Sequence, residues 1–266
     1  MIATRSDDLG QIHIEETLPS PMIDFALVYP ALVLSVGYLV LGLTGFGSAL
    51  IVVPLLANRW PLAEVVAMAI LLDIPASMLH GGLNMRQVQW AELRRLLPGM
   101  AIGAIAGLWL LGQLDRRWPL FALGCYVVFV GARALLPRSH GAATLSPAWG
   151  HPVGALVGLI HVMFATAGPV VVTWLQRRLG SAAAVRATVP VIMVLVGSIA
   201  VSVLWTSGQV DADVVMSRWL YGIPIALGGV LLGNRCAARL SPLMMERLLA
   251  ALLMVSGLSL MQHVFI

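Results

Sequence analysis

The stretch that decides the fold runs from residue 22 to residue 57 and reads MIDFALVYPALVLSVGYLVLGLTGFGSALIVVPLLA. It contains 36 residues, whereas one membrane-spanning helix needs roughly 20. The segment TGFGS at 44–48 interrupts it with two glycines. This pattern favours one full span followed by a short half-helix over 48–57. A helix satisfies its own backbone in lipid and an open sheet does not, so we expect helices.

The composition of the whole chain agrees with a membrane protein. Of its 266 residues, 59% are hydrophobic and 11% are charged, against about 45–50% and about 25% in soluble domains. These values exclude a disordered chain, a nucleic-acid-binding protein and a soluble enzyme. All 16 basic residues are arginines, which fits loops and helix ends at a membrane surface. We therefore expect a multi-pass membrane protein, with the lipid bilayer and no nucleic acid as partner.

Apolar stretches of spanning length recur along the chain, separated by short loops that hold Arg, Pro or Gly. They are 22–57, 62–80, 94–113, 118–136, 151–176, 183–207, 217–236 and 242–262. These stretches predict an all-α polytopic membrane protein with about eight transmembrane helices. The polar residues 1–21 lack a basic segment followed by an apolar one. They are predicted to be an N-terminal tail and not a signal peptide.

Two halves of the chain share a pattern. A second interruption, Ala165–Pro169, lies in the fifth stretch at a shift of 121 from the first. Further on, Pro98 and Gly103 align with Pro224 and Gly229 at a shift of 126. Paired repeats with interrupted helices in corresponding places are typical of secondary transporters.

The repeat predicts a division of the chain into a first transmembrane bundle, 22–138, and a second, 151–266, joined by a linker over 139–150. If each broken stretch crosses the membrane once, there are eight spans and the repeats are parallel. With five crossings in each half, there are ten spans and the repeats are inverted. We favour eight.

Several motifs in a fixed order resemble the TauE/SafE family of anion exporters over about residues 25–262. They are Gly42-x-x-Gly45-Phe46-Gly47-Ser48, Ala63-Glu64-Val65-Val66-Ala67, Gln87-Val88-Gln89-Trp90, Leu97-Pro98-Gly99 and Arg186-Ala187-Thr188. The second repeat departs from the family pattern, with Ala165-Thr166-Ala167 where glycines are more usual. The resemblance implies export of sulfite or an organosulfonate such as sulfoacetate, driven by an ion gradient. It also implies a location in the plasma or inner membrane of a bacterium.

The two interruptions are the predicted substrate-binding site. A compact oxyanion can be held by backbone N–H groups at the N-terminus of a half-helix, where the helix dipole is favourable. The predicted first wall is Thr44, Gly45, Gly47 and Ser48, and the predicted second wall is Thr166, Gly168 and Pro169. Alternatively, these small residues only permit close helix packing. That packing role is what we expect of the glycines at 99, 103 and 107 and at 229 and 233.

Three polar residues in the spans add to this site. Asp73 lies in the middle of a span, where an acid costs about 2.5–3.5 kcal/mol on insertion scales, and it is a candidate for carrying a coupling proton. It could instead pair with an arginine or bond the backbone freed near Pro75. His161 precedes the second interruption and is predicted to donate to the anion, or alternatively to be a packing residue. Arg186 is placed at the pore mouth, or at the membrane surface as a snorkelling charge.

Other function classes are compatible with parts of the sequence. An anion channel is not separable from a carrier by sequence. A membrane-embedded hydrolase could use Ser48 and His161, but the Gly-x-Ser-Gly context of an intramembrane serine protease is missing. An electron carrier is disfavoured because Cys125 and Cys236 lie at non-equivalent positions of the repeat. We expect no enzyme activity, no cofactor and no metal site. A small anionic substrate is the expected partner, and a homo-oligomer stays compatible with the sequence.

Overall fold

The computed structural model describes residues 25–45, 47–81, 85–115, 117–135, 145–179, 181–237 and 242–265. These ranges contain ten α-helices, two short 3₁₀ turns and no strand. The helices are α1 (Phe25–Thr44), α2 (Ser48–Leu56), α3 (Leu62–Gly81), α4 (Trp90–Gln113), α5 (Arg117–Leu135), α6 (Gly150–Phe164), α7 (Gly168–Arg178), α8 (Ala182–Thr206), α9 (Ala212–Ala237) and α10 (Pro242–Phe265). The predicted tail 1–21 and the first part of the predicted linker, 139–144, lie outside the described residues.

The prediction of an all-α polytopic membrane protein is confirmed. Within the described ranges, five helices are long and apolar enough to cross a membrane, namely α1, α3, α4, α8 and α9. A shorter apolar segment, Ala250–Gln262, lies in α10. The total of eight spans stays a prediction.

Both predicted interruptions are present, and the chain makes the same kind of turn at each. At the first, Gly45 and Gly47 have φ angles of 83° and 102°, a left-handed conformation that glycine adopts without steric cost. At the second, Ala165 takes the corresponding conformation, with φ 57°. The N–H of Gly45 donates to the carbonyl of Leu41 at 2.7 Å, and that of Ala165 donates to the carbonyl of His161 at 2.8 Å. Each long helix therefore ends on one left-handed residue, 120 positions apart.

The helix α2 turns back along α1 and does not continue its path. The Tyr29 hydroxyl donates to the carbonyl of Leu55 at 3.0 Å, and the Arg59 guanidinium lies 4.3 Å from the centre of the Tyr29 ring. A Cβ at Gly37 would collide with Val52. The end of α2 thus lies near the start of α1. We call α1 and α2 the first hairpin.

The helices α6 and α7 form a second hairpin of the same kind. Nη1 of Arg178, the last residue of α7, donates to the carbonyl of Leu145, just before α6, at 2.9 Å. Each broken stretch therefore returns to the end where it began. The expectation that a broken stretch crosses once conflicts with this geometry, because glycine and left-handed turns allow reversal as well as interruption.

The two hairpins start from opposite ends of the helix bundle. At the end where α1 starts, Arg218 near the start of α9 pairs with Glu64 near the start of α3, at 2.7 Å. At the other end, beyond the end of α3, the N–H of Gln89 donates to Thr188 Oγ1 of α8 at 3.1 Å. The second hairpin starts at this other end, where Arg178 pairs with Glu92 of α4. The tips of the hairpins therefore approach each other inside the bundle.

Glycines bring the long helices into close contact, as expected for the packing faces. A Cβ at Gly99 or Gly103 of α4 would collide with the backbone of α6 at His151 or Ala155. A Cβ at Gly233 of α9 would collide with the backbone of α1. The order of these contacts along each helix shows that α4 runs parallel to α6. The packing role of these glycines is confirmed.

Two adjacent glycines of α9 provide a test of this packing. A Cβ at Gly229 would lie 3.0 Å from the Cβ of Tyr38, whereas a Cβ at Gly228 would have nothing within 4 Å. We expect Gly229→Ala to lower the free energy of unfolding by about 1–3 kcal/mol through overpacking, and Gly228→Ala to change it little. The measurement is unfolding of the purified protein in mixed micelles with increasing SDS. Equal losses in the two variants would contradict the packing of α9 on α1.

Candidate functional site

The tips of the two hairpins, together with α3 and α8, enclose a partly open cavity. Its empty volume is about 490 Å³, with the solvent at its mouth included. Eight of the ten predicted site residues line it: Gly45, Gly47, Ser48, Asp73, His161, Thr166, Gly168 and Pro169. The fold thus brings both predicted walls to one place. Their role in binding a substrate stays a prediction.

The first wall holds a carboxylate. The hydroxyl of Ser48, the first residue of α2, donates to Oδ1 of Asp73 at 2.7 Å. The Asp73 side chain comes from the middle of α3, so the carboxylate lies at the N-terminal turn of α2. The positive end of the helix dipole stabilises a negative charge at that position.

The second wall holds polar atoms without partners. His161 is 3% exposed and Thr166 is 2% exposed. Nδ1 and Nε2 of His161 and Oγ1 of Thr166 are buried and have no hydrogen-bond partner among the described residues. Buried polar groups in proteins are nearly always hydrogen-bonded, and each exception calls for an explanation. Because both side chains line the cavity, a bound molecule or water in the cavity would supply the missing partners.

Tyr126 of α5 supports the second wall and was not predicted from the sequence. Its hydroxyl donates to the carbonyl of Thr166 at 2.8 Å. This contact fixes the tip of the second hairpin to a helix of the first half. The position of Tyr126 in the middle of an apolar helix could have identified it from the sequence, since a buried Tyr hydroxyl usually needs a hydrogen-bond partner.

Removal of the Tyr126 hydroxyl provides a test of this support. We expect Tyr126→Phe to lower the free energy of unfolding by about 0.5–1.5 kcal/mol, the usual net value of one hydrogen bond. It should also weaken substrate binding, because the Thr166 carbonyl is no longer fixed. Unfolding and half-saturation of transport are the two measurements, with Tyr221→Phe as the control. The Tyr221 hydroxyl donates to the carbonyl of Leu27 at 3.0 Å, away from the cavity. A loss of binding as large in the control as in Tyr126→Phe would reject this support.

Two predicted site residues are not among those that line the cavity. The Thr44 hydroxyl donates to the carbonyl of Val40 at 2.9 Å, which is the usual bond of a threonine within a helix. Arg186 is exposed near the start of α8, where its aliphatic stem can lie along apolar surface. The placement of Thr44 in the first wall and the role of Arg186 at the mouth both stay predictions.

A buried charge cluster lies at the start of α4, where no site was predicted. Glu92 is 4% exposed. Its carboxylate accepts from Trp174 Nε1 at 3.1 Å and from Arg178 Nη2 at 3.0 Å, and it also pairs with Arg95. The predicted span 94–113 begins after Glu92 and leaves it out, whereas α4 starts at Trp90. The cluster fixes the end of α7 to α4 and so positions the second hairpin.

Comparisons with known proteins agree with the resemblance found in the motifs. The sequence model of the sulfite exporter TauE/SafE family matches residues 29–260. A curated relative, the probable inner membrane transporter protein TsaS of Comamonas testosteroni, is 56% identical over 199 residues, which cover 74% of this chain and 83% of the relative. No solved structure matches the chain. With nearly all of its helices inside the matched range, the chain belongs to the sulfite exporter TauE/SafE family.

Proposed function

We propose that this protein is a secondary transporter of a bacterial inner membrane that exports a small sulfur-containing anion. The substrate is sulfite or an organosulfonate such as sulfoacetate, moved by alternating access and coupled to protons through Asp73. The observation that carries this proposal is the cavity between the two hairpin tips. It combines the N-terminus of a half-helix with buried donors that have no partner among the described residues. Such groups suit the oxygens of a compact anion.

The directions of the helices support an inverted repeat of five helices, α1–α5 and α6–α10. The first and second hairpins start from opposite ends of the bundle. Two pairs of helices correspond in such a repeat: α4 packs along α6, and α1 packs along α9. Inverted repeats whose broken helices meet near the centre are common in secondary transporters, where one repeat moves against the other. This arrangement takes the place of the eight-span topology in our proposal.

The surroundings of Asp73 support its role in coupling. It lines the cavity in the middle of α3, and its hydrogen-bonding neighbours are the neutral hydroxyls of Ser48 and Tyr38. Among the described residues, no arginine forms an ion pair with it. An ionisable group inside a membrane protein that lacks a counter-charge is suited to bind and release a proton during a transport cycle.

The same geometry gives no support to a hydrolase. A serine nucleophile requires a base that accepts its proton, and histidine most often has this role. In this cavity the Ser48 hydroxyl donates to Asp73, whereas both ring nitrogens of His161 have no partner among the described residues. Ser48 and His161 therefore do not form a catalytic pair in this structure.

Counterflow in proteoliposomes tests the proposed function. Vesicles that contain the purified protein are loaded with unlabelled sulfite, sulfoacetate, taurine or chloride and diluted into the same labelled anion. We expect transient accumulation of label for at least one sulfur-containing anion. With the membrane potential held at zero, a channel would equilibrate the label without accumulation. Absence of counterflow for every anion in the panel, with wild-type protein that is folded in the vesicles, would overturn the proposal.

A further inference from the structure

The two walls of the cavity occupy equivalent places but differ in chemistry. At a shift of 120 residues, Ser48 corresponds to Gly168, Asp73 to Met193 and Leu41 to His161. All six line the cavity. The first half therefore contributes a hydroxyl and a carboxyl group, and the second half contributes an imidazole where the first has a leucine.

We propose that the acidic group of the substrate binds only at the second wall of the cavity, with His161, Thr166 and the N-terminus of α7 as its donors. The substrate then carries a single acidic group. This inference rests on the proposed function and narrows its substrate to monosulfonates and hydrogensulfite, the singly charged form of sulfite. Sulfoacetate, which has two acidic groups, becomes a poor substrate.

The first wall already contains an acid, Asp73. The Asp73 carboxylate accepts from Ser48 at 2.7 Å and lies at the N-terminal turn of α2, where a bound anion would otherwise lie. A second negative charge there would be repelled strongly, because a cavity inside a protein screens charge less than water does. The Asp73 carboxylate thus compensates the positive end of the α2 helix dipole.

No acidic residue at the second wall is found among the described residues that line the cavity. The half-helix α7 has 11 residues, and Ala167 before it provides no side-chain cap. Met193, at the place that corresponds to Asp73, carries no charge. Next to this helix N-terminus lie the Thr166 hydroxyl and the His161 ring, both more than nine-tenths buried and without hydrogen-bond partners among the described residues.

The donors at the second break fit the oxygens of a sulfonate or sulfite group. A threonine hydroxyl donates one hydrogen bond, and a neutral imidazole donates one. Hydrogen bonds to a charged acceptor are roughly twice as strong as neutral ones. Neither Arg nor Lys occurs among the described residues that line the cavity, so the Thr166 hydroxyl, the His161 imidazole and the helix dipole must hold the anion. They compensate one negative charge more readily than two.

Calorimetric titration of the purified protein in detergent tests this assignment without the need for transport. The probes are methanesulfonate, with one acidic group, and ethane-1,2-disulfonate, with two, at constant ionic strength. We expect Thr166→Val and His161→Leu each to weaken methanesulfonate binding by about tenfold or more, the value of a lost bond to a charged group. Thr166→Ser, which keeps the hydroxyl, should bind as the wild type does. Ser48→Ala should weaken binding less than Thr166→Val does.

Asp73→Asn separates the two walls. It removes the negative charge of the first wall, so methanesulfonate should bind more tightly and the disulfonate should now bind. Equal losses in Ser48→Ala and Thr166→Val would overturn the inference. So would equal affinity of the wild type for both probes, or no binding of methanesulfonate. Binding of methanesulfonate without counterflow would contradict the proposed function but not the assignment of the anion to the second wall. Counterflow with equal contributions from both walls would contradict that assignment but not the proposed function.

Discussion

Asp73→Asn is expected to give a folded protein that moves its anion but no longer responds to a pH gradient. Asparagine has nearly the same size as aspartate, and its side-chain oxygen can accept the hydrogen bond from Ser48 that the carboxylate accepts at 2.7 Å. It cannot bind or release a proton at physiological pH. Transport of the labelled anion into proteoliposomes, with and without an imposed pH gradient, is the measurement. The wild-type rate should depend on the gradient, and the variant rate should not.

Two variants make this result specific. Asp73→Glu keeps a titratable group and should retain part of the dependence on the gradient. Asp115→Asn removes an exposed carboxylate after α4 and should leave the dependence unchanged. If Asp73→Asn still responds to the gradient as the wild type does, Asp73 does not carry the coupling proton.

Glu92→Ala is expected to cause the largest loss of stability among the variants considered. Glu92 is 4% exposed and accepts hydrogen bonds from Trp174 and Arg178. Its removal leaves the guanidinium of Arg178 without its carboxylate and the indole N–H of Trp174 without an acceptor. Removal of one partner from a buried ion pair typically costs about 3–5 kcal/mol. Because this cluster fixes the end of α7, the affinity for the anion should fall as well.

Unfolding of the purified protein is the measurement for Glu92, and Glu92→Gln is the matched variant. Glutamine keeps the acceptor oxygen and the shape of the side chain, so its loss should be smaller than that of alanine. At the opposite end, Arg218 pairs with Glu64 and also lies 4.1 Å from the centre of the Trp60 ring. Glu64→Ala should cost less, because the Glu64 side chain is 14% exposed whereas that of Glu92 is 5% exposed, and the cost of unpairing a charge falls with exposure. Unchanged unfolding of Glu92→Ala would show that the cluster does not hold the second hairpin.

The positions of the helix breaks could be predicted from the sequence, because they depend on local residue types. The half-helix expected over 48–57 is α2, Ser48–Leu56, and its start follows two glycines in left-handed conformation. The interruption expected at Ala165–Pro169 separates α6 from α7. Proline at the first turn of α7 fits this place because its missing N–H has no intrahelical partner there.

The directions of the half-helices could not be predicted, because they depend on distant contacts. The return of α2 is fixed by Tyr29 with Leu55, and that of α7 by Arg178 with Leu145 and Glu92. Residue types alone do not distinguish a reversed chain from an interrupted one. For the same reason, an exposed charge at a helix start could not be told from Glu92, which is buried among partners 82 and 86 residues away.

The most direct test of the central claim, that the cavity between the hairpin tips is the substrate site, is a structure with a bound anion. Selenite has the shape and charge of sulfite, and its selenium atom gives an anomalous diffraction signal that locates it. We expect a selenium peak in the cavity, within hydrogen-bonding distance of the Thr166 hydroxyl and the His161 ring. Selenite bound only outside the cavity, while the crystallised protein still transports it in vesicles, would contradict this account.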